Sequence, residues 1–432
     1  SCSSGEITFA GNVLSANHNI NVTGTRDLGD DLPVGSSRTI SVSGTLACSS
    51  CVITGNGSFE LLPGATLKTA HPDGLNGVLA ITGSKTLDED AHYNFNGSSA
   101  QVTGTFLPAT VQSLVIDNPA GVTISSDDVL TVSGLLTINN SARLEIGVGK
   151  KVTAGTMVND GGNGGLAIKS NAAGSGSLKT TSQNLQATVE RYIPAWGAWN
   201  EGWHLLSSPI IAEPVAGGWT PSGDGNDYDF YVWSESAANL NWRNQKDGTN
   251  GITGFIPGKG YLVAYQATDT KLFRDTLNMT DIPVSGLTHT TGNQYAGWHL
   301  LGNPFPCALH WGEGSWSKST SIGQYAQLWN STYKSYTVLD VNGVIPAMNG
   351  FMVYTSEDNG SLVIPDDAMV HDGSSWYKEE SAQILLVAND LDHGGLQETL
   401  LRFSDNGAAG FDPSEDCRSE EHTSELQSPN TI

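Results

Sequence analysis

Between residues 36 and 155, short β-branched runs recur at intervals of roughly six to eight residues: Val115-Ile116, Val122-Thr123-Ile124, Thr131-Val132, Leu136-Thr137-Ile138, Leu144-Glu145-Ile146 and Val152-Thr153. Gly, Asn, Asp or Ser fill the gaps, and no gap can hold a helix. Strands this short cannot bury a face within one pair, so each turn of chain must stack on its neighbours. The pattern predicts a parallel β-helix, or β-solenoid, over residues 1–182.

Beyond that ladder the chain repeats itself. Gly202-Trp203-His204-Leu205-Leu206 followed by Pro209 returns as Gly297-Trp298-His299-Leu300-Leu301 followed by Pro304. Tyr231-Val232-Trp233 and Gln327-Leu328-Trp329 each precede an Ile-Pro turn, Ile256-Pro257 and Ile345-Pro346, closed by Gly and an aromatic residue. The repeat length of roughly 90 to 96 residues suits a small β-sandwich, and Tyr261-Leu262-Val263-Ala264-Tyr265 reads as strand. The expected fold class is therefore all-β: a β-solenoid over 1–182, then two β-sandwich-like modules over 183–285 and 286–417. The Gly-rich stretch at 161–165 and the turn-rich run at 171–177 place the junction near Thr180 to Gln186.

Charge narrows the partners. Asp and Glu number 44 against 20 Lys and Arg, a formal net charge of −24, so phosphate backbones and anionic membranes are repelled. Apolar residues make up 38% of the 432, enough for two or three domains with real cores. No run approaches the roughly 20 apolar residues of a spanning helix, and a chain that starts at Ser1 reads as processed or clipped. The 51 glycines, with abundant Ser, Thr and Asn, match exported β-rich proteins.

Five cysteines, Cys2, Cys48, Cys51, Cys307 and Cys417, cannot all pair. Cys48 and Cys51 have the spacing of a redox or zinc half-site but no βαβ context and no second Cys/His pair, which leaves a local disulfide or two packed thiols.

The motif series 57–68 (Gly57 to Lys68), 100–104, 112–118, Val189-Glu190-Arg191-Tyr192-Ile193, Trp203 to Pro209 and Gly302 to Pro306 resembles a group of large secreted proteins of Bacteroidota. That resemblance covers nearly all of 36–411. It implies an adhesin-like protein of the outer surface, exported through type IX secretion by a sorting domain that this sequence does not contain. Residues 418–428, Arg418 to Ser428, resemble the translation of a short-read sequencing adapter, so 418–432 is expected to be an artefactual tail without a fold.

Candidate chemistry is sparse. Asp224, Asn226, Asp227 and Asp229 gather oxygen donors that a hard cation such as calcium would use, although Tyr228 interrupts the alternation of a regular calcium loop; a solvated acidic loop is the other reading. Asp30-Asp31 and Asp127-Asp128 are adjacent, and adjacent strand residues face opposite ways, so they make poor catalytic dyads. His204 and His299 stand at equivalent repeat positions without metal-ligand spacing, and Ser207-Ser208 lacks the strand-turn-helix setting of a nucleophile elbow. All eleven tryptophans fall between Trp196 and Trp376. Trp203, Trp233, Trp298 and Trp329 recur with the repeat and read as core. Trp196, Trp199, Trp219, Trp242 and Trp316 lie in Gly-, Pro- or Asn-rich contexts and are the candidates for stacking on sugars, with packing at module junctions as the other reading.

These readings converge on a non-catalytic extracellular or outer-surface protein without a required cofactor, structural or adhesin-like, that contacts extracellular glycans or surface polymers. Exposed coil edges would also allow self-association. The competing expectations are a carbohydrate-binding accessory region of a larger secreted enzyme and a β-helix enzyme that degrades polysaccharide.

Overall fold

A computed structural model describes residues 19–197, 202–331 and 334–371, and the backbone of two further strands, Gln383–Asn389 and Leu396–Arg402. Trp199, Cys2, Cys417 and the tail 418–432 lie outside the described residues. Two compact units divide the chain: Ser1–Lys169 with Ser175–Val189, and Ser170–Gly174 with Glu190–Ile432.

The first unit is a β-solenoid of about eight turns. Its longest wall is a parallel eight-stranded sheet running in chain order from Thr25–Asp27 to Ser177–Thr180. One coil takes 21 residues from Thr45 to Thr66, the next 26 from Thr66 to His92. Because side chains alternate across a strand, the register stacks like on like. Leu46, Leu67, Tyr93, Leu114, Leu136 and Met157 form one continuous inward column. Val122, Leu144 and Leu166 form another on a second wall, beside Ile146, Ile168 and Val189. Each such Leu or Ile, taken wholly from water, contributes about 1.5–3 kcal/mol.

Polar groups inside the coils are tied in. The Gln101 amide donates to the carbonyls of Thr69 (2.9 Å) and His71 (3.0 Å), and Asn118 Nδ2 donates to Gln101 Oε1 (2.9 Å) and Ser99 O (2.8 Å). Such side chains supply the backbone groups that a turn leaves unpaired within the stack.

The register slips where Val111 and Ser113 oppose Val132 and Leu135. Gly134 occupies this bulge, and a Cβ there would lie 2.6 Å from Gln112 O. Only glycine fits so close an approach of two backbones. Gly134→Ala is expected to destabilise the first unit by about 1–3 kcal/mol, read as a lowered denaturation midpoint with an unchanged m-value.

The second unit contains both repeats. Each contributes an antiparallel four-stranded sheet with the same strand order. In the first the order is His204–Leu206, Tyr261–Tyr265, Tyr228–Trp233, Trp242–Asn244; in the second it is Trp298–Gly302, Gly350–Tyr354, Ala326–Asn330, Ser335–Leu339. On one face each sheet packs against its own repeat. Trp219, Phe230, Phe255, Tyr261 and Phe273 fill that side of the first repeat; Trp311 and Phe351 belong to that of the second.

The other faces of the two sheets share a core made of Trp203, Leu205, Tyr231, Leu262 and Ala264 from one repeat and Leu300 and Met352 from the other. The joining bonds are reciprocal. Leu206 bridges to Asn349 and Leu301 to Lys259, while Ser207 N donates to Met348 O and Gly302 N to Gly258 O, both at 3.0 Å. These pairs occupy equivalent repeat positions, so the repeats relate to one another as the halves of an isologous dimer do. The accepting turn has positive φ in both copies, +76° at Gly258 and +55° at Met348.

Candidate functional site

The aromatic side chains around the shared core form the most distinctive surface of the second unit. Trp196, Trp233, Trp242, Trp298, Trp329 and Tyr336 are half-buried against it. Strand alternation aims them there. Trp233 opposes Trp242 on neighbouring strands of the first sheet, with ring centroids 4.9 Å apart, and Trp329 opposes Tyr336 at the same place on the second, at 5.2 Å. Edge-to-face contacts of this kind add about 0.5–1.5 kcal/mol per pair beyond area burial. Trp233 Nε1 donates to Trp298 O at 2.7 Å, so one indole pins the two repeats together.

Polar groups border the rings on the same faces. Tyr231 opposes Asn244, and Asp229 opposes Ala264 of the shared core. Gln327 opposes Met352. Asp229 pairs with Lys246 at 3.4 Å; burial raises its pKa, while Lys246 and then Tyr231 pull it down.

Glu235 is 3% exposed and ties the repeats at one end. Its carboxylate accepts hydrogen bonds from the Thr288 hydroxyl, Thr290 N (2.6 Å), the Thr290 hydroxyl (2.9 Å) and Gly297 N (3.0 Å). Burial alone would raise its pKa, but these donors together outweigh it and hold the carboxyl below the ordinary glutamate value.

His204 is buried, and its pKa is lowered to about 3, first by desolvation and then by the positive charge of Arg191. It is therefore neutral in the folded chain at any pH above that. The unfolded chain binds this proton at ordinary histidine pH and the folded chain does not, so His204 removes stability as pH falls from about 6.5 to about 3. His204→Gln should flatten that part of a stability-against-pH curve measured by thermal melting.

The sequence-based candidates divide on inspection. Trp242 and Trp196 belong to the aromatic rim. Trp219 does not: it is 1% exposed, with its ring 4.8 Å from Phe255 and 4.6 Å from Phe273, so it is a core residue despite its Gly- and Pro-rich neighbours. Trp316 is half-buried elsewhere, 4.8 Å from Trp311, donates to His310 O at 2.9 Å and lies under Lys318. The calcium candidates do not converge. Asp224 and Asn226 are exposed, Asp227 accepts from the Ser222 hydroxyl, and Asp229 turns to Lys246. Among the described residues no group of three or more His, Cys, Asp or Glu side chains could hold a metal.

Cys48 and Cys51 are free thiols and not a disulfide. Alternation places Cys48 at the inward end of Thr45–Cys48, where burial foremost, then Cys51, pushes its pKa up. Cys51 lies beyond the bend and donates its Sγ–H to Leu28 O of the preceding coil at 3.1 Å. Burial first and then Asp31 and Asp30 raise its pKa also, so neither thiol is poised for thiolate chemistry. In the solenoid, Asp31 accepts from Val52 N at 2.8 Å and Asp127 pairs with Lys150, two links between coils.

Reasoning from sequence did not single out Asn244, Gln327 or Tyr336. The alternation of Gln327-Leu328-Trp329 was the available signal, since it places Gln327 on the face of its repeat partner Tyr231.

Among the described residues no helix is long and apolar enough to cross a membrane. A family model described as a domain of unknown function (DUF8693) matches residues 98–342, more than half of the chain. No curated protein matches the chain, and no solved structure does.

Proposed function

The chain belongs to this family, and from that premise we propose that it is a non-catalytic, exported surface protein of adhesin-like character, in which both units serve contact and not turnover. The observation that carries the reading is how the ionisable side chains are used. Asp31, Asp127, Asp229 and Glu235 each hold neighbouring strands or loops together, while the half-buried aromatic rings cluster on one seam. Catalytic carboxylates need the opposite arrangement, two or more converging on an open cleft with pKa values driven apart.

The outward face of the solenoid's longest wall supports the same reading. Thr45, Thr66, His92, Ser113, Leu135 and Thr156 follow one another along it, as do Ala47, Lys68, Asn94, Val115, Thr137 and Val158. Successive strands of a sheet lie about 4.8 Å apart, so this wall offers a regular array of short neutral side chains with few charges. Leu135 and Val158 are exposed on it by 42% and 40%. The resemblance of the motifs to exported Bacteroidota proteins favours delivery to the outer surface by type IX secretion.

Fractionation of producing cells tests the proposal. The protein is expected in the medium or on the outer surface, and a purely cytoplasmic location would end the reading. Release of new reducing ends from polysaccharide would instead favour a β-helix enzyme.

A further inference from the structure

We propose that the aromatic seam between the two four-stranded sheets is a binding site for a neutral glycan. This deepens the contact reading above, on which it rests.

Three donors on this seam have no hydrogen-bond partner: Trp203 Nε1, Gln327 Nε2 and Trp329 Nε1. Trp203 is 6% exposed and Gln327 4%, so bulk solvent barely reaches them. All three belong to one place. Trp203 is part of the shared core and Trp329 packs on it, while Gln327 lies directly across from Met352 of that core. A buried donor left unsatisfied costs about 1–3 kcal/mol, and native proteins keep few of them. Three together along one seam call for something that brings acceptors.

The surroundings define what that is. Trp233, Trp242, Trp329 and Tyr336 pack around that core and remain partly exposed. A pyranose ring has an apolar C–H face to lie on an indole and hydroxyl oxygens around its edge to accept from indole and amide N–H groups. The carboxylate of Asp229, half-buried near Tyr231, keeps a second oxygen beside its Lys246 pair to receive a hydroxyl proton, while Asn244 Oδ1 already accepts from Lys246 N at 2.9 Å. The negative charge of Asp229 and of the chain as a whole disfavours uronates and sulfated sugars. Lys246 is already paired with Asp229.

The site is composite. Trp203, Trp242 and Asn244 come from one repeat, and Gln327, Trp329 and Tyr336 from the other. One repeat alone would carry half of it.

The test is a titration of the whole chain, followed by tryptophan fluorescence, with neutral oligosaccharides (β-1,4-glucan, β-1,4-mannan, xylan and chitin hexasaccharides) and with an oligogalacturonate as the anionic control. At least one neutral sugar is expected to shift the emission saturably, with no response to the uronate. Trp242→Ala, at the half-exposed rim, should weaken that binding at least tenfold. Gln327→Leu keeps the volume and removes the donor, and it should weaken binding several-fold while leaving the melting temperature unchanged or higher, since the unsatisfied group is gone. Absence of a response to every neutral sugar, or binding that survives both substitutions, overturns the site. Neither result touches the contact reading, which fails only if the titrated sugar is cleaved or the protein is found in the cytoplasm.

Discussion

Leu136→Asp is expected to abolish folding of the solenoid at neutral pH. Leu136 is fully buried in the inward column between Leu114 on the preceding coil and Met157 on the following one. A carboxylate there has apolar rungs above and below, and moving it from water without a partner costs several kcal/mol even after its pKa rises. The loss of about 2–5 kcal/mol of apolar packing adds to this. A domain is stable by about 5–15 kcal/mol, so one substitution of this kind consumes most of the margin. Coils contact only their neighbours, and damage in the middle of the stack therefore separates the coils on either side. Hydrogen exchange should show protection lost in both directions from residue 136, whereas Leu136→Met should remain within about 1.5 kcal/mol of the native chain. Retained protection in Leu136→Asp would refute the stacked-column account.

Glu235→Ala is expected to destabilise the second unit by about 2–6 kcal/mol, since two backbone donors are left buried and unpaired at about 1–3 kcal/mol each. It strips an acceptor from four donors at once: the Thr288 and Thr290 hydroxyls and the backbone N–H groups of Thr290 and Gly297. Two of these are backbone donors that no rotamer change can redirect. The pH dependence has a definite sign. The folded carboxyl has a depressed pKa, so its contribution is complete above the ordinary glutamate value and disappears as pH falls through that value towards the lower folded one. The native chain should therefore lose thermal stability on acidification in this range, and Glu235→Gln should lose much less. Since Glu235 belongs to the first repeat and its donors to the second, the variant should also hold the shared-core tryptophans less rigidly, which near-UV circular dichroism would register as reduced intensity.

The solenoid was legible because its information is local. Leu136-Thr137-Ile138 states its inward face, but not its length: with Thr131-Val132 it forms one ten-residue strand, Val129–Ile138, bent at a bulge, and one gap of the ladder, expected to exclude helix, holds the short helix Gly74–Val78. The repeat was legible too, since Trp203 and Trp298 recur in the same words. What no run of residues states is which face of a sheet meets which other sheet. Trp219 and Trp242 have similar polar, turn-rich neighbours, yet one ring points into the core of its own repeat and the other sits on the seam. The direction depends on partners such as Phe273, more than fifty positions away. For Cys48 and Cys51 the spacing left a disulfide and two packed thiols both open, and the strand end that buries Cys48 and leaves Cys51 half-buried decides for free thiols. The acidic loop supplies oxygens without convergence: Asp229 is claimed by Lys246 from the turn after a later strand, and spacing alone does not reveal that competition.

The reciprocal bridges between Leu206 and Asn349 and between Leu301 and Lys259 have an evolutionary corollary. An association that separate subunits could form only at sufficient concentration is made permanent once the two copies share one polypeptide, because tethering fixes their effective molarity. Freed from having to match itself, each copy can then drift: the turn that keeps Gly258 in one has taken Met348 in the other, and Tyr231 stands where its counterpart is Gln327. One seam thus carries two vocabularies of side chain at equivalent places, where a pair of identical chains would carry one.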